Sequence, residues 1–146
     1  MTDVVDKATR SRMMAGIKAK DTAPELVVRR FLHSHGFRYR LHVKTLHGKP
    51  DIVLPKYRTA IFVHGCFWHQ HPECKDAVMP RSNAKFWKKK LDGNTRRDAR
   101  NISELESLGW QCLVVWECEV NSSTMQKHLI RKVRRGQYRP SPIRMP

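Results

Sequence analysis

The sequence is short of acidic residues. Asp and Glu together number 13, against 29 Lys and Arg, so the formal net charge is +16. A solvated protein surface normally mixes charges of both signs, and an excess of this size indicates a polyanionic partner, either nucleic acid or an anionic membrane. The sequence also lacks a long hydrophobic run and an apolar segment near its start, which argues against a membrane-spanning or a secreted protein. We therefore expect an intracellular protein that binds nucleic acid and no membrane.

Internal repeats are absent, and no low-complexity stretch occurs before the C-terminal end. The 146 residues suffice for one domain with a core, and a hydrophobic content of 40% is typical of a globular chain. We expect a basic DNA-contacting helix or arm over residues 1–20, a single domain over 21–135, and a basic, Pro-rich and poorly ordered tail over 136–146. Residues 121–146 carry seven Lys and Arg and no acid, which indicates contacts with phosphates, the alternative being a solvated helix face.

Hydrophobic periodicity predicts the element order α, β, β, β, α, β, α for the domain, a mixed sheet flanked by helices. The first helix begins at a capping box formed by Thr22 and Glu25 and ends at Gly36. The helices are predicted over residues 22–36, over 83–108 with a break at 92–93, and over 122–135. The strand-like runs cover residues 37–41, 51–54, 59–63 and 110–116.

Cysteine is scarce, but its distribution predicts a metal site. Intracellular chains rarely form disulfides, so the four Cys compete for metal-binding and core roles. The segment CFWHQHPEC at residues 66–74 offers two Cys and two His, and a closed zinc site needs four such ligands in a tetrahedron. One short loop rarely supplies all four. We therefore expect a distant ligand, and Cys118 follows a predicted strand whose end can meet this loop.

The predicted zinc ligands are Cys66, His71, Cys74 and Cys118. Spacing alone does not separate His69 from His71. It does not exclude Cys112 either, although the apolar neighbours of Cys112 are typical of a core thiol. The alternative is a group of buried thiols and surface histidines that bind no metal.

A candidate hydrolytic site lies close to this segment in the sequence. Asp51 stands at the start of a short apolar strand, and His64 directly follows the next one. Adjacent strands can therefore bring both side chains and the carbonyl of Val63 together. A carboxylate and a carbonyl are hard oxygen ligands suited to Mg²⁺, which stabilises the charge of a phosphodiester displacement. The sequence thus predicts Mg²⁺ at Asp51 and Val63, although an aspartate after proline can also be a simple turn residue.

Three further side chains carry ionisable groups that suit this chemistry. Histidine titrates near neutrality, which makes His69 a candidate general acid or base. Asp98 could orient a histidine or the water around a metal, and its alternative role is an ion pair with the neighbouring arginines. Glu25 could join the same cluster, although its position first indicates a capping residue.

Taken together, several segments resemble the very-short-patch-repair DNA mismatch endonucleases, the Vsr family. The resemblance covers roughly residues 3–120, and its most specific parts are HGCFWH and the closing WEC. It is carried by DKATRSRMM, GKPDIV, IFVHGCFWHQH, FWKKK, NTRRDARNI and LGWQCLVVWEC. It implies a variant of the PD-(D/E)xK restriction-endonuclease fold, in which the E-x-K strand is replaced by one ending in F-x-H, here Phe62 to His64.

The resemblance also implies an activity. Members of the family nick one strand on the 5′ side of the T in a T·G mismatch, the product of 5-methylcytosine deamination. By this resemblance Asp51 and the carbonyl of Val63 bind Mg²⁺, and His69 is the acid or base. His64 and Asp98 act through the water around the metal. The family's zinc ligands fall on the same four residues that the spacing favours.

Aromatic residues beside the metal ligands are the predicted means of recognising a mismatch. Phe67 and Trp68 lie in a loop where large apolar side chains are poorly placed for the core. The resemblance implies that these two and Trp87 insert into the base stack, while Met14 and Ile17 approach from the minor groove. Insertion costs least at a mismatch, which gives discrimination. The alternative is a satellite cluster packed over the zinc site.

The expected partner is double-stranded DNA with a T·G mismatch, bound by a monomer in the bacterial cytoplasm at the nucleoid, with other repair proteins as candidate partners. Two other functions compete with nicking. One is a restriction-like endonuclease that cuts both strands, and the other is a zinc-dependent DNA-binding module without catalysis. A carboxylate–histidine cluster at strand ends favours an enzyme, because a binding module has no use for it.

Overall fold

The structure is a computed structural model that describes residues 22–136. This range contains three helices, α1 (Ala23–Ser34), α2 (Ala84–Ser107) and α3 (Ser123–Arg135). It also contains four strands, β1 (Arg40–Leu41), β2 (Ile52–Leu54), β3 (Thr59–His64) and β4 (Gln111–Trp116). The predicted order of helices and strands is confirmed. The predicted N-terminal arm, with Met14 and Ile17, and the tail beyond Gly136 lie outside the described residues.

The four strands form one mixed sheet in the order β1-β2-β3-β4. Strands β1, β2 and β3 pair antiparallel, whereas β4 runs parallel to β3, with His64 opposite Trp116. Parallel neighbours finish at the same end of a sheet, and the antiparallel β2 begins there. We call this the site end of the sheet, because Asp51 precedes β2, His64 ends β3, and Cys118 follows β4 within two residues.

Side chains alternate between the two faces of the sheet, and each face is covered by different helices. Ile52, Ile61 and Val115 face one way and pack with buried residues of α1 and α3. Val53, Ala60 and Phe62 face the other way and pack with Leu105 of α2. The core therefore consists of two layers, with the sheet between them. None of the described helices is long and apolar enough to cross a membrane.

Helix α1 begins at the predicted capping residue. The Thr22 Oγ1 accepts a hydrogen bond from the Glu25 N–H at 3.4 Å, and a proline occupies the first turn. Val28 and Leu32 form its buried stripe. The chain leaves the helix through Gly36 at φ +82°, a backbone conformation that favours glycine. This start matters for function, because it fixes Glu25 at the site end of the sheet.

The predicted break at residues 92–93 is wrong, because α2 continues through both positions as one helix of 24 residues. A glycine inside a helix costs about 0.5–1 kcal/mol relative to alanine. Trp87, Leu91 and Leu105 lie on the buried side of the helix, and their packing outweighs that cost. The continuous helix matters because it carries Asp98 to the site end of the sheet.

The predicted strand over residues 37–41 is shorter in the structure. Only Arg40 and Leu41 pair with β2. Phe37 instead turns into the core, where it is 5% exposed and meets the Tyr57 ring edge-on at 5.5 Å. Because β2 itself has three residues, in this register it offers no partner to Phe37 or Arg38. At the other boundary, β3 includes His64, one residue beyond its predicted end.

Candidate active site and metal centre

The site end of the sheet opens into a cleft of about 770 Å³. Segments far apart in the sequence meet there: the first turn of α1, the start of β2, the end of β3, the loop after it, and the middle of α2. The structure brings all the predicted catalytic and Mg²⁺-binding residues to this cleft. They are Glu25, Asp51, Val63, His64, His69 and Asp98.

Asp51 is held in place by the neighbouring strand. Its Oδ2 accepts a hydrogen bond from the Val63 N–H at 2.8 Å. Burial raises the pKa of Asp51 to about 6, although the hydrogen bond from Val63 acts in the opposite direction, and the nearby Glu25 carboxylate adds to the rise. Two carboxylates held this close in a half-buried cleft favour a bound cation, which would offset their mutual repulsion.

Glu25 belongs to a buried network that the sequence did not reveal. Its side chain is 3% exposed, and its Oε2 accepts a hydrogen bond from the Arg29 guanidinium at 2.9 Å. The same Arg29 nitrogen lies 3.0 Å from Nε2 of His42. Ligand atoms of Glu25, His42 and Asp51 all lie within 4.8 Å of one another. The i, i+4 spacing of Glu25 and Arg29 could have indicated their pairing. No signal in the sequence pointed to His42.

Two histidines and an aspartate form the other half of the cleft. The Nδ1 of His69 lies 2.5 Å from Oδ2 of Asp98, so the carboxylate fixes one ring nitrogen and leaves the other for the cleft. The rings of His64 and His69 stack with centroids 3.8 Å apart. Burial, and secondly the neighbouring His69, lower the pKa of His64 to about 4, so this ring is neutral at pH 7. Within residues 22–136 no arginine forms an ion pair with Asp98.

A second cluster lies beside the cleft, formed by the loop after β3 and the residue that follows β4. Its ligand atoms lie within 4.8 Å of one another and belong to Cys66, His71, Cys74 and Cys118. Nδ1 of His71 lies 3.6 Å from Sγ of Cys66 and 3.5 Å from Sγ of Cys118. A zinc tetrahedron with Zn–S bonds of about 2.3 Å and Zn–N bonds of about 2.0 Å has S···N edges of about 3.5 Å. These donors and distances therefore fit zinc.

The surroundings of this cluster hold its loop in shape. The Cys66 N–H donates to Oε1 of Glu117 at 2.9 Å, and the Trp116 ring stacks on His71 at 4.2 Å. Burial raises the pKa of the Cys66 thiol to about 12, so a cation is needed to favour its thiolate. Sequence reasoning missed the contribution of Glu117, although the WEC segment contains it.

Two residues that spacing left open lie away from the cluster. His69 belongs to the same loop but turns toward Asp98 and the cleft. Cys112 lies within β4, half-buried among the residues that pack against α2, and burial raises the pKa of its thiol to about 12. The structure thus places His71 among the sulfur atoms and gives Cys112 the environment of a core thiol.

Three aromatic rings stand together at the mouth of the cleft. Phe67 meets Trp68 at 5.1 Å and Trp87 at 5.4 Å, in both cases edge to face. Phe67 and Trp68 are half-buried and line the cleft. Trp87, predicted to insert with them, is only 7% exposed and instead supports them from inside. Asn94 of α2 donates to the carbonyl of Trp68 at 3.1 Å, which fixes the loop against the helix. Phe86, exposed by 53%, extends this aromatic surface.

The fold and the cleft thus define a mixed α/β protein with a carboxylate–histidine centre next to a Cys₃His cluster. Residues 2–76 match the family model described as DNA mismatch endonuclease Vsr. The type II nicking enzyme V.NmeAIP of Neisseria meningitidis serogroup A is 47% identical over 135 residues, which cover 92% of this chain and 96% of that enzyme. The DNA mismatch endonuclease Vsr of Escherichia coli K12 is 46% identical over 118 residues, which cover 81% of this chain and 75% of that enzyme.

A third relative gives the same result. The type II nicking enzyme V.XorIIP of Xanthomonas oryzae pv. oryzae is 45% identical over 121 residues, which cover 83% of this chain and 88% of that enzyme. The chain belongs to the Vsr family of DNA mismatch endonucleases.

Proposed function

We propose that this protein is a Mg²⁺-dependent DNA endonuclease that nicks one strand on the 5′ side of the T in a T·G mismatch. The observation that carries the proposal is the meeting of Asp51 with the His69–Asp98 pair in one cleft. Family membership and two relatives named as nicking enzymes support it. The paired strands β2 and β3, with Asp51 and His64 at the site end, fit the proposed PD-(D/E)xK type of fold.

Asp51, the carbonyl of Val63 and Glu25 would hold the magnesium ion. Their oxygen atoms are the hard ligands that Mg²⁺ prefers, and a cation would offset the repulsion between the neighbouring carboxylates of Asp51 and Glu25. When bound, Mg²⁺ supplies Lewis-acid stabilisation of the charge that builds up on the phosphodiester group. Arg29 keeps Glu25 turned toward Asp51 through their hydrogen-bond network.

His69 is the group that moves a proton in the proposed reaction. Asp98 holds its Nδ1, so the Nε2 atom is the one available in the cleft, and the carboxylate stabilises the ring when it is protonated. His64 is neutral at pH 7 and stacks on His69, which restricts the ring to one plane. In the proposed reaction His64 would act through the water around the metal.

The Cys₃His cluster would hold a structural zinc ion. The loop that it closes carries Phe67, Trp68 and His69, so the same metal site fixes both the aromatic residues and the acid or base. We propose that Phe67 and Trp68 enter the base stack at the mismatch, supported by Trp87. Met14 and Ile17 are proposed to contact the minor groove. Lys49 and Lys90 line the cleft and suit phosphate contacts.

An Asp51→Asn substitution tests whether the cleft is catalytic. Because burial already disfavours the charge at this position, the neutral side chain leaves the fold intact. We expect the nicking rate on a T·G duplex to fall by at least about 10³-fold, since a loss of several kcal/mol of charge stabilisation has this size. The affinity for the same duplex, measured by fluorescence anisotropy, should change only a few-fold.

The matched control is Asp92→Asn, which removes the same charge from an exposed aspartate paired with Lys88. It should nick at the wild-type rate. Retained nicking by Asp51→Asn would exclude the proposed metal site. Tight binding without any nicking by the wild-type protein would instead identify a DNA-binding module.

A further inference from the structure

Helix α3 carries a strongly basic surface that the proposed function does not use. Leu129 and Val133 are buried against the sheet, and the opposite side of the helix is open to solvent. The residues that line a shallow depression of about 540 Å³ there are Lys127, Ile130, Arg131, Arg134 and Arg135. The four cations follow i, i+4, i+7 and i+8 spacing, which places them on one side of the helix. We call them the α3 basic face.

Among the described residues 22–136, no acidic side chain balances this face. The sequence has no Asp or Glu after Glu119, and α3 contains none. None of the four cations forms an ion pair with any residue of the described range 22–136. On solvent-exposed helices, Asp or Glu at i±3 or i±4 commonly pairs with Lys and Arg. Four unpaired cations around one depression therefore repel one another unless a polyanion binds.

The α3 basic face lies far from the cleft. Gln111, at the start of β4, donates to the carbonyl of Lys132 at 2.8 Å. The C-terminal part of α3 therefore lies at the end of the sheet that is farther from His64. Strand β3 separates the two ends by about 17 Å. In addition, α3 covers one face of the sheet, whereas α2, which carries Asp98, covers the other. The cleft and the α3 basic face thus occupy opposite corners of the domain.

We propose that the α3 basic face binds the phosphate backbone of a second DNA segment, separate from the duplex in the cleft. From Lys127 to Arg135 the helix advances about 12 Å, and phosphates of one strand recur about every 3.4 Å along the duplex axis. The face therefore matches about three or four consecutive phosphates. The guanidinium groups of its three arginines suit phosphate oxygens geometrically.

DNA fits this surface better than an acidic protein does. Protein interfaces gain most of their affinity from apolar and aromatic residues at the centre of the contact. Among the described residues that line the depression, only Ile130 is apolar, and it is half-buried against the protein's own core. One duplex is not expected to contact both sites. DNA resists bending over lengths shorter than about 150 bp, and a duplex would have to bend within the much shorter span of this domain.

This inference goes beyond the proposed nicking activity. A chain with two separate phosphate-binding sites holds two duplexes at once. Such a protein can pass from one DNA segment to another without release into solution, which shortens the search for a rare mismatch. Contacts with the phosphate backbone do not depend on base sequence, so the second segment can be any duplex.

A bridging experiment with the full chain tests the proposal. A T·G duplex is attached to beads, and capture of a fluorescent matched duplex is measured as the salt concentration rises. The wild-type protein should capture it. The variant Lys127→Gln/Arg131→Gln/Arg134→Gln/Arg135→Gln should capture at least about tenfold less, because four phosphate contacts change the slope of log affinity against log salt by about 3 to 4. Glutamine is a good helix former, so α3 stays intact, as circular dichroism can verify.

The control variant Lys127→Arg/Arg131→Lys/Arg134→Lys/Arg135→Lys keeps every charge and should capture the second duplex as the wild type does. Both variants should nick a single T·G duplex at the wild-type rate. Equal capture by the glutamine variant, or no capture by a wild-type protein that nicks, would overturn the proposal. Binding of poly-glutamate through these four residues, without a second duplex, would assign the face to an acidic protein. Bridging without nicking would instead contradict only the proposed function.

Discussion

At the scale of single residues, the pairing of His69 with Asp98 decides which nitrogen of the ring faces the cleft. The two atoms lie 2.5 Å apart, and no arginine of residues 22–136 forms an ion pair with this carboxylate. A carboxylate in this position orients an imidazole and stabilises its protonated form. Asp98 is therefore a positioning residue for the proposed acid or base.

Replacing Asp98 by Asn should lower the single-turnover rate of nicking by about 10²- to 10⁴-fold, the usual contribution of a positioned acid or base. The amide keeps the size of the side chain but can fix the wrong tautomer of His69. Affinity for the T·G duplex should stay within a few-fold of wild type. An unchanged nicking rate would show that the pair has no part in catalysis.

The residues of the cleft differ in how far the sequence could reveal them. Asp51 and His64 were predictable because each flanks a short apolar run, and the ends of adjacent strands meet. Arg29 and His42 were not, because their contact depends on how α1 and the segment after β1 pack together. Spacing within one loop could not choose between His69 and His71, because the choice depends on the direction in which each ring turns.

At the scale of elements, the conformation of the segment from Gly65 to Cys74 depends on the contacts that hold it and not on regular secondary structure. It contains no helix or strand, and two of its residues, Gln70 and Glu73, have positive φ angles. Turn hydrogen bonds, such as that from the His71 N–H to the Cys66 carbonyl at 2.9 Å, and the contact with Glu117 hold this backbone. A metal that joins the loop to the residue after β4 would add a further constraint.

We expect wild-type protein to bind one zinc ion per chain and Cys118→Ser to lose it. The melting temperature should fall with the metal, because the energy of binding a structural zinc is energy of folding. Zinc content is measured by mass spectrometry after gel filtration, and melting by circular dichroism. Cys112→Ala is the control, since its thiol lies in β4 outside the cluster, and it should retain zinc. Full zinc content in Cys118→Ser would contradict the ligand assignment.

The element boundaries show where local patterns were insufficient. A Gly after Asp predicts a break, but the buried side of α2 continues across it, and packing against the sheet determined the outcome. Similarly, the alternating pattern after Gly36 predicted a long strand, but β2 offered only three residues to pair with. In both places the length of the element depends on the residues that it packs against or pairs with. A local sequence pattern does not show those residues.

At the scale of the whole molecule, two regions of this basic chain, whose net charge is +16, serve different ends in this account. The cleft at the site end of the sheet combines carboxylates, histidines and aromatic rings, and suits chemistry on one duplex. The α3 basic face at the opposite corner has cations alone and suits backbone contacts. Net charge alone indicated a polyanionic partner but gave no information about this division, since it appears only when the sheet places the two regions apart.

The most direct test of the central claim is a nicking assay on duplexes labelled on either strand, with Mg²⁺ present. One duplex carries a single T·G mismatch in several flanking contexts, and the controls carry T·A or C·G at the same position. The account predicts a single cut in the T strand, 5′ to the T, with both control duplexes intact. Cutting of both strands in the matched controls, or tight binding with no cut in any context, would contradict it.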